Sequence, residues 1–157
     1  MDKKGIASSL NNIGFIYLNQ AENPDNAVHS ARLLNKALEF FHKSLKKQEE
    51  VMDKNGITYS LNNIGAILHR QGKLAEAIVY ATRSMGIAEE LGFPSSIKNA
   101  AYLLKNIYQK QNNFKKAFTM YELEIQMRDS INNQETRKAS IKKQLQYQYE
   151  TQAKELK

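Results

Sequence analysis

The residues best suited to acid–base or metal chemistry in this chain are its three histidines, His29, His42 and His69, since cysteine is absent. No two of them form a His-x₃-His ligand pair, and none opens a His-Glu-x-x-His zinc motif. His29 and His42 stand 13 residues apart on what reads as one long helix, where a solvated or edge position is expected. The carboxylate doublets Glu49-Glu50 and Glu89-Glu90 are no better placed. Adjacent helical residues point about 100° apart, so neither doublet forms a carboxylate dyad. Phosphate-cradling loops are missing too, because the glycines fall singly: Gly72 and Gly92 at turns, Gly14 and Gly65 inside apolar helices. The chain therefore reads as non-enzymatic, with no cofactor and no metal, and any catalytic activity would belong to a fused domain. What does recur is the asparagine pair, Asn11-Asn12 and Asn62-Asn63. Each amide offers a donor and an acceptor, which suits it to the backbone of an extended peptide.

Charge raises a second class of function. Lys and Arg number 23 against 16 Asp and Glu, a net +7. The lysine doublets Lys3-Lys4, Lys46-Lys47, Lys115-Lys116 and Lys142-Lys143 are scattered, and each mostly lies opposite an apolar stripe, as on a solvated helix face. Residues 134–157 hold six basic and three acidic groups, a local excess of +3. A nucleic-acid site would call for a contiguous basic stripe or a recognition motif, and neither is present. Basicity is read as solubility and weak steering toward acidic partners, with a nucleic-acid-binding adaptor as the alternative. No apolar run approaches 18 residues, and MDKKGIASSL lacks a signal-peptide core. A membrane would be involved only through a span fused beyond the C-terminus. A cytoplasmic location is favoured, and a periplasmic one fits a fragment of a membrane sensor.

The elements that position these residues announce themselves by repetition. Ser-Leu-Asn-Asn-Ile-Gly occurs at 9–14 and again at 60–65, an offset of 51. A second offset of 40 relates Leu34, Ala37 and Ser44 to Leu74, Ala77 and Ser84, and Leu74 and Ala77 to Phe114 and Ala117. The difference, 51 − 40 = 11, places an insertion in the first unit between Asn19 and Asn35. Eleven residues are close to three helical turns, so a helix can lengthen there without rotating its buried face. Each unit reads as two helices: Leu61, Ile64, Ile67 and Leu68 stripe one, and Leu74, Ala77, Ile78, Ala81, Met85 and Ala88 stripe the next. Gln71-Gly72-Lys73 and Gln111-Asn112-Asn113 are turns within units; Leu91-Gly92-Phe93-Pro94 closes a unit, with Ser95 or Ser96 as the following cap. Asn23-Pro24-Asp25 predicts the start of a helix that runs unbroken to Met52.

The fold expected is all-α: an antiparallel helix-pair solenoid of about three repeats plus a C-terminal amphipathic helix. Repeat one spans 5–53 with its insertion near 20–34, repeat two 54–92, repeat three 93–131, within an array over 1–131. Residues 132–157 carry Ile141, Leu145, Tyr149, Ala153 and Leu156 on one face. They read as a helix that caps repeat three, or as a connector or dimer helix.

These residues resemble the tetratricopeptide repeat. Leu10, Ile13, Gly14, Tyr17, Ala37, Phe41 and Ser44 take the family's signature places in repeat one, and Leu61, Ile64, Gly65, Leu68, Ala77, Ala81 and Ser84 in repeat two. Repeat three offers Ala101, Leu104, Lys105, Tyr108, Ala117, Tyr121 and Glu124, departing at Lys105 and Glu124 where the family has small residues, so looser packing against the final helix is expected. The 40-residue spacing is similar to the variant found in bacterial signalling and peptide-sensing proteins. The resemblance implies a right-handed superhelix whose concave groove is lined by first helices. It carries the groove positions onto Asn11, Phe15, Tyr59, Asn62, Asn63, His69, Arg70, Asn99, Tyr102 and Asn106. Asn12 and Asn63 are expected to bond a neighbouring backbone rather than ligand, Asn11 and Asn62 to face the groove. The family's clamp for a C-terminal carboxylate is not expected: its places hold Asn11, Phe15, Asn63, Asn99 and Leu103, of which only Asn63 matches. The implied function is a scaffold for a protein or peptide partner in a bacterial signalling or regulatory protein, with homodimerisation through the last helix as the alternative.

Overall fold

The computed structural model describes residues 2–22 and 27–156. Six helices follow in order: α1 (Lys3–Gln20), α2 (Ala27–Glu50), α3 (Lys54–Arg70), α4 (Leu74–Leu91), α5 (Pro94–Lys110) and α6 (Phe114–Glu155). Among the described residues there is no strand. The helices pair as α1–α2, α3–α4 and α5–α6; α3 then packs on α2, α5 packs on α4, and α3 meets α5. This is the expected helix-pair solenoid.

The pairs close because small residues stand where backbones meet. Ala77, Ala81, Ala88, Ala100 and Ala101 are fully buried, interleaved with Phe41, Leu61, Ile64, Ile67 and Ile107. At Gly65 an added Cβ would lie 2.9 Å from Leu103 Cδ2, so that leucine of the following repeat rests on bare backbone. Serines at the crowded points find acceptors across helices. Ser44 Oγ donates to Ala7 O at 2.8 Å, and Ser84 Oγ to Thr58 O at 3.2 Å. Each buried hydroxyl thus ties a second helix to the first helix of its own repeat.

The helix ends follow local chemistry. Asp2 and Asp53 cap α1 and α3 by accepting from the Gly5 and Gly56 amides. At α5 the expected serine cap is corrected: the helix begins at Pro94 with Phe93 at the N-cap and no side-chain cap bond. Proline fits the first turn because its φ is preset and its missing N–H would be unpaired there anyway. In repeat one, α2 begins at Ala27, seven residues before Leu34, the counterpart of the α4 start at Leu74; most of the 11-residue insertion is therefore helix. Its expected start at Asn23-Pro24-Asp25 lies outside the described residues. It ends at Glu50, two residues short of Met52, which adopts φ 53° and terminates the turn.

The C-terminal segment differs most from expectation. Residues 132–155 continue α6 rather than starting a helix of their own. α6 is one helix of 42 residues, about 63 Å long, and every described residue from 132 to 156 is exposed. Neither Gly nor Pro occurs beyond Pro94 and Gly92, so nothing stops the helix where the 40-residue period would end it. The overhang is about 36 Å of rod, and Phe114, Phe118 and Tyr121 on the outer face of repeat three are exposed.

Candidate functional site

α3 and α5 run side by side and present equivalent residues 40 positions apart. Between them lies an open cavity of about 770 Å³. Eight of the ten expected groove residues line it: Tyr59, Asn62, Asn63, His69 and Arg70 from α3, and Asn99, Tyr102 and Asn106 from α5. Tyr59 is the counterpart of Asn99, and Asn62 of Tyr102. At both levels the wall therefore carries one ring and one amide. Ala66 and Lys110 line it too, and Asn55, Thr58, Ser96 and Leu103, which were not among the expected groove residues, complete the lining. For Asn55 a signal existed: it stands seven residues, two helical turns, before Asn62 and so shares its face.

Two expected residues lie elsewhere. Phe15 sits on α1, exposed and outside the cavity. Asn11 is buried, which corrects its assignment to the groove. Its Oδ1 lies 3.0 Å from the Ser60 hydroxyl, which in turn lies 2.7 Å from Gln48 Oε1. All three side chains are buried, so the network joins α1, α2 and α3 in the core. The partner Asn12, expected to be structural, is exposed.

The same positions at the next junction explain the polarity of the cavity. Ser60 corresponds to Ala100 and Gln48 to Ala88, both fully buried. Methyl groups cannot donate to an amide. Asn62 Oδ1, the counterpart of the satisfied Asn11 Oδ1, has no hydrogen-bond partner among the described residues, and neither has Asn63 Nδ2. One acceptor and one donor are thus left unpaired in the cavity wall. A buried polar atom without a partner costs about 1–3 kcal/mol, which favours turning either amide toward a ligand that supplies the missing bond.

The C-terminal ends of the helices carry the charge. Arg70 Nη2 donates to Ala21 O at 3.0 Å, and Lys110 Nζ donates to His69 O at 3.1 Å. Both cations thus sit on carbonyls at or just past the ends of α1 and α3, where the helix dipole is negative. Burial, and then the Lys110 charge, hold the His69 imidazole below the usual histidine range, opposed by a hydrogen bond to the Asn106 main chain. The cavity is therefore lined at neutral pH by an uncharged imidazole, amides, two phenols and two cations already engaged by backbone. Among the described residues no three His, Asp or Glu side chains gather into a metal-binding group. The arrangement can stack rings and exchange hydrogen bonds.

Comparison with known proteins agrees with this geometry. Residues 56–130 match the tetratricopeptide repeat model. That stretch, from the start of α3 into α6, carries the tetratricopeptide repeat. The TPR domain of Arabidopsis FLU is similar in structure, with a TM-score of 0.69 at 24% identity, covering 82% of this chain and 98% of that one. Among curated proteins nothing matches. Tetratricopeptide arrays are protein–protein interaction scaffolds, and repeats two and three, which hold the cavity, are the part that the family model covers.

Proposed function

We propose that this tetratricopeptide array is a non-enzymatic scaffold that holds an extended segment of a protein partner in the α3–α5 cavity, as the sensory or interaction part of a bacterial signalling or regulatory protein. The observation that carries the reading is the unpaired amide pair, Asn62 Oδ1 and Asn63 Nδ2, in a wall flanked by Tyr59 and Tyr102. A peptide main chain supplies an N–H and a C=O at every residue, the complement of one free acceptor and one free donor. From Asn55 to Arg70 the wall runs about 22 Å, room for about six extended residues. The tyrosine rings offer area for side chains without demanding one type. The 40-residue spacing and the rod of α6 running on from the array support the signalling context, with the rod as connector.

A display screen of random ten-residue peptides against the full chain tests this. The expected result is an enriched peptide whose affinity falls about tenfold or more in Asn62→Ala and in Asn63→Ala, the scale of one lost hydrogen bond to a buried group. An enriched peptide whose affinity ignores both substitutions would refute the assignment, as would a screen with no enrichment.

A further inference from the structure

A repeat array carries its own control for burial, because one position recurs in different surroundings. Ile16, Ile67 and Ile107 are equivalent: the second and third are fully buried, whereas Ile16 is 55% exposed. Ile13 differs from its buried counterparts Ile64 and Leu104 in the same way. α3 has α2 behind it and α5 has α4, while no described helix lies behind α1. The other end shows the converse. Phe41, Ala81 and Tyr121 are equivalent; the first two are fully buried under the next repeat, whereas Tyr121 is 47% exposed. Phe114 and Phe118, on the same face, are exposed as well. A cavity of about 440 Å³ between α5 and α6, lined by Tyr102, Lys105, Phe114, Phe118 and Tyr121, marks the vacant seat. The back of α1 and the front of α5–α6 are therefore the two halves of an interface that the chain already makes twice internally.

We propose that a second copy of this chain docks head to tail, its α1 seated on the α5–α6 face of the first, making the repeat-to-repeat interface a third time across molecules. The contact point at the centre of that interface favours a copy of this chain over an unrelated apolar helix. Internally, Leu103 of α5 rests on Gly65. At the seat Gly65 is replaced by Lys105, whose Nζ lies 2.7 Å from Glu124 Oε2 and 4.6 Å and 5.5 Å from the Tyr102 and Tyr121 ring centres. The residue of α1 equivalent to Leu103 is Asn12, which is exposed. An amide against a lysine–carboxylate pair can bond to either charge, whereas a leucine there would desolvate both. Around this polar centre Ile13 and Ile16 would cover Phe118 and Tyr121.

Such a contact is heterologous: each complex keeps one free back and one free front, so assembly continues past two. Sedimentation equilibrium of the full chain over a wide concentration range is expected to show a mass that rises beyond the dimer. Ile16→Glu and Phe118→Glu place a charge in the apolar part of the contact on opposite faces. Both sites are exposed in the single chain, and circular dichroism will confirm that the variants fold. Each alone is expected to weaken association about 100-fold or more. An equimolar mixture of the two is expected to form a single 1:1 complex that grows no further, since the intact front of the Ile16→Glu chain accepts the intact back of the Phe118→Glu chain. A monomer at every concentration overturns the proposal, as does a mixture that forms no complex. A mass that stops at the dimer and is abolished by Leu145→Glu would instead assign association to the α6 overhang.

Discussion

The Asn11–Ser60–Gln48 network and its all-methyl counterpart make a matched pair of substitutions with opposite expected signs. Ser60→Ala removes a hydroxyl that lies 3.0 Å from Asn11 Oδ1 and 2.7 Å from Gln48 Oε1, in a place with no solvent access at Ser60 itself. The methyl group fills nearly the same volume, so no significant cavity forms, and the loss is that of the bond plus the orphaned amides. A buried group left unpaired costs about 1–3 kcal/mol; one hydroxyl proton serves one amide at a time, so about 2 kcal/mol is expected. For a chain of this size that is a fall in Tm of about 4–8 °C. Ala100→Ser builds the missing donor beside Asn62 Oδ1 and is expected to raise stability by about 0.5–1.5 kcal/mol. It should also weaken peptide binding in the α3–α5 cavity, because the acceptor is then satisfied from within. Urea unfolding followed by circular dichroism measures both, with a shifted midpoint and an unchanged slope as the sign that stability alone has moved. Equal destabilisation by the two substitutions, or a Ser60→Ala effect below about 0.5 kcal/mol, would refute the argument that these positions are equivalent and differ only in their hydrogen bonds.

Met52 holds φ 53° at the turn from α2 to α3, where its counterpart Gly92 holds φ 67° between α4 and α5. Met52 is 83% exposed, so Met52→Gly removes strain and little packing; a gain of about 1 kcal/mol is expected, and Gly92→Ala should lose a similar amount, both read from thermal midpoints. Two histidines set a pH dependence. Burial lowers the pKa of His42, which meets the Tyr80 ring edge-on, and burial with Lys110 lowers that of His69. The unfolded chain then binds protons more readily than the folded one, so stability is full above the ordinary histidine pKa of about 6.5 and declines as pH falls below it. Urea midpoints at pH 7.5 and 5.5 should differ in that direction, and the double variant His42→Gln, His69→Gln should flatten the difference. Glu39, beside Lys43, and Glu50, beside Lys3 and Lys47, have lowered pKa values; their contribution is lost only in the carboxylate range, clear of the histidine window.

Repetition made the fold legible. Two copies of Ser-Leu-Asn-Asn-Ile-Gly and a 40-residue register place the helix pairs, because each buried position is stated two or three times. Eight of the residues that the family resemblance assigns to the groove line the α3–α5 cavity. Asn11 does not, since its fate depends on Ser60 and Gln48 from two other helices, and no pattern within α1 distinguishes it from Asn62. The 40-residue period would end α6 near residue 131, but Asn132 and Asn133 are tolerated inside a helix and neither Gly nor Pro follows to stop it. At α5 the two serines offer cap chemistry, but the adjacent proline at N1 supplies the entry conformation by itself.

The uninterrupted shaft of α6 makes repeat three a lever. Its first 18 residues, five turns, belong to the helix pair with α5, which also lines the groove; its last 24 residues are all exposed. A tilt of about 5° where α6 rests on α5 sweeps the far end through about 3 Å, the product of that angle and a free arm of about 36 Å. Displacements too small to disturb the packing between repeats are thereby enlarged, at the tip, to the size of an atom.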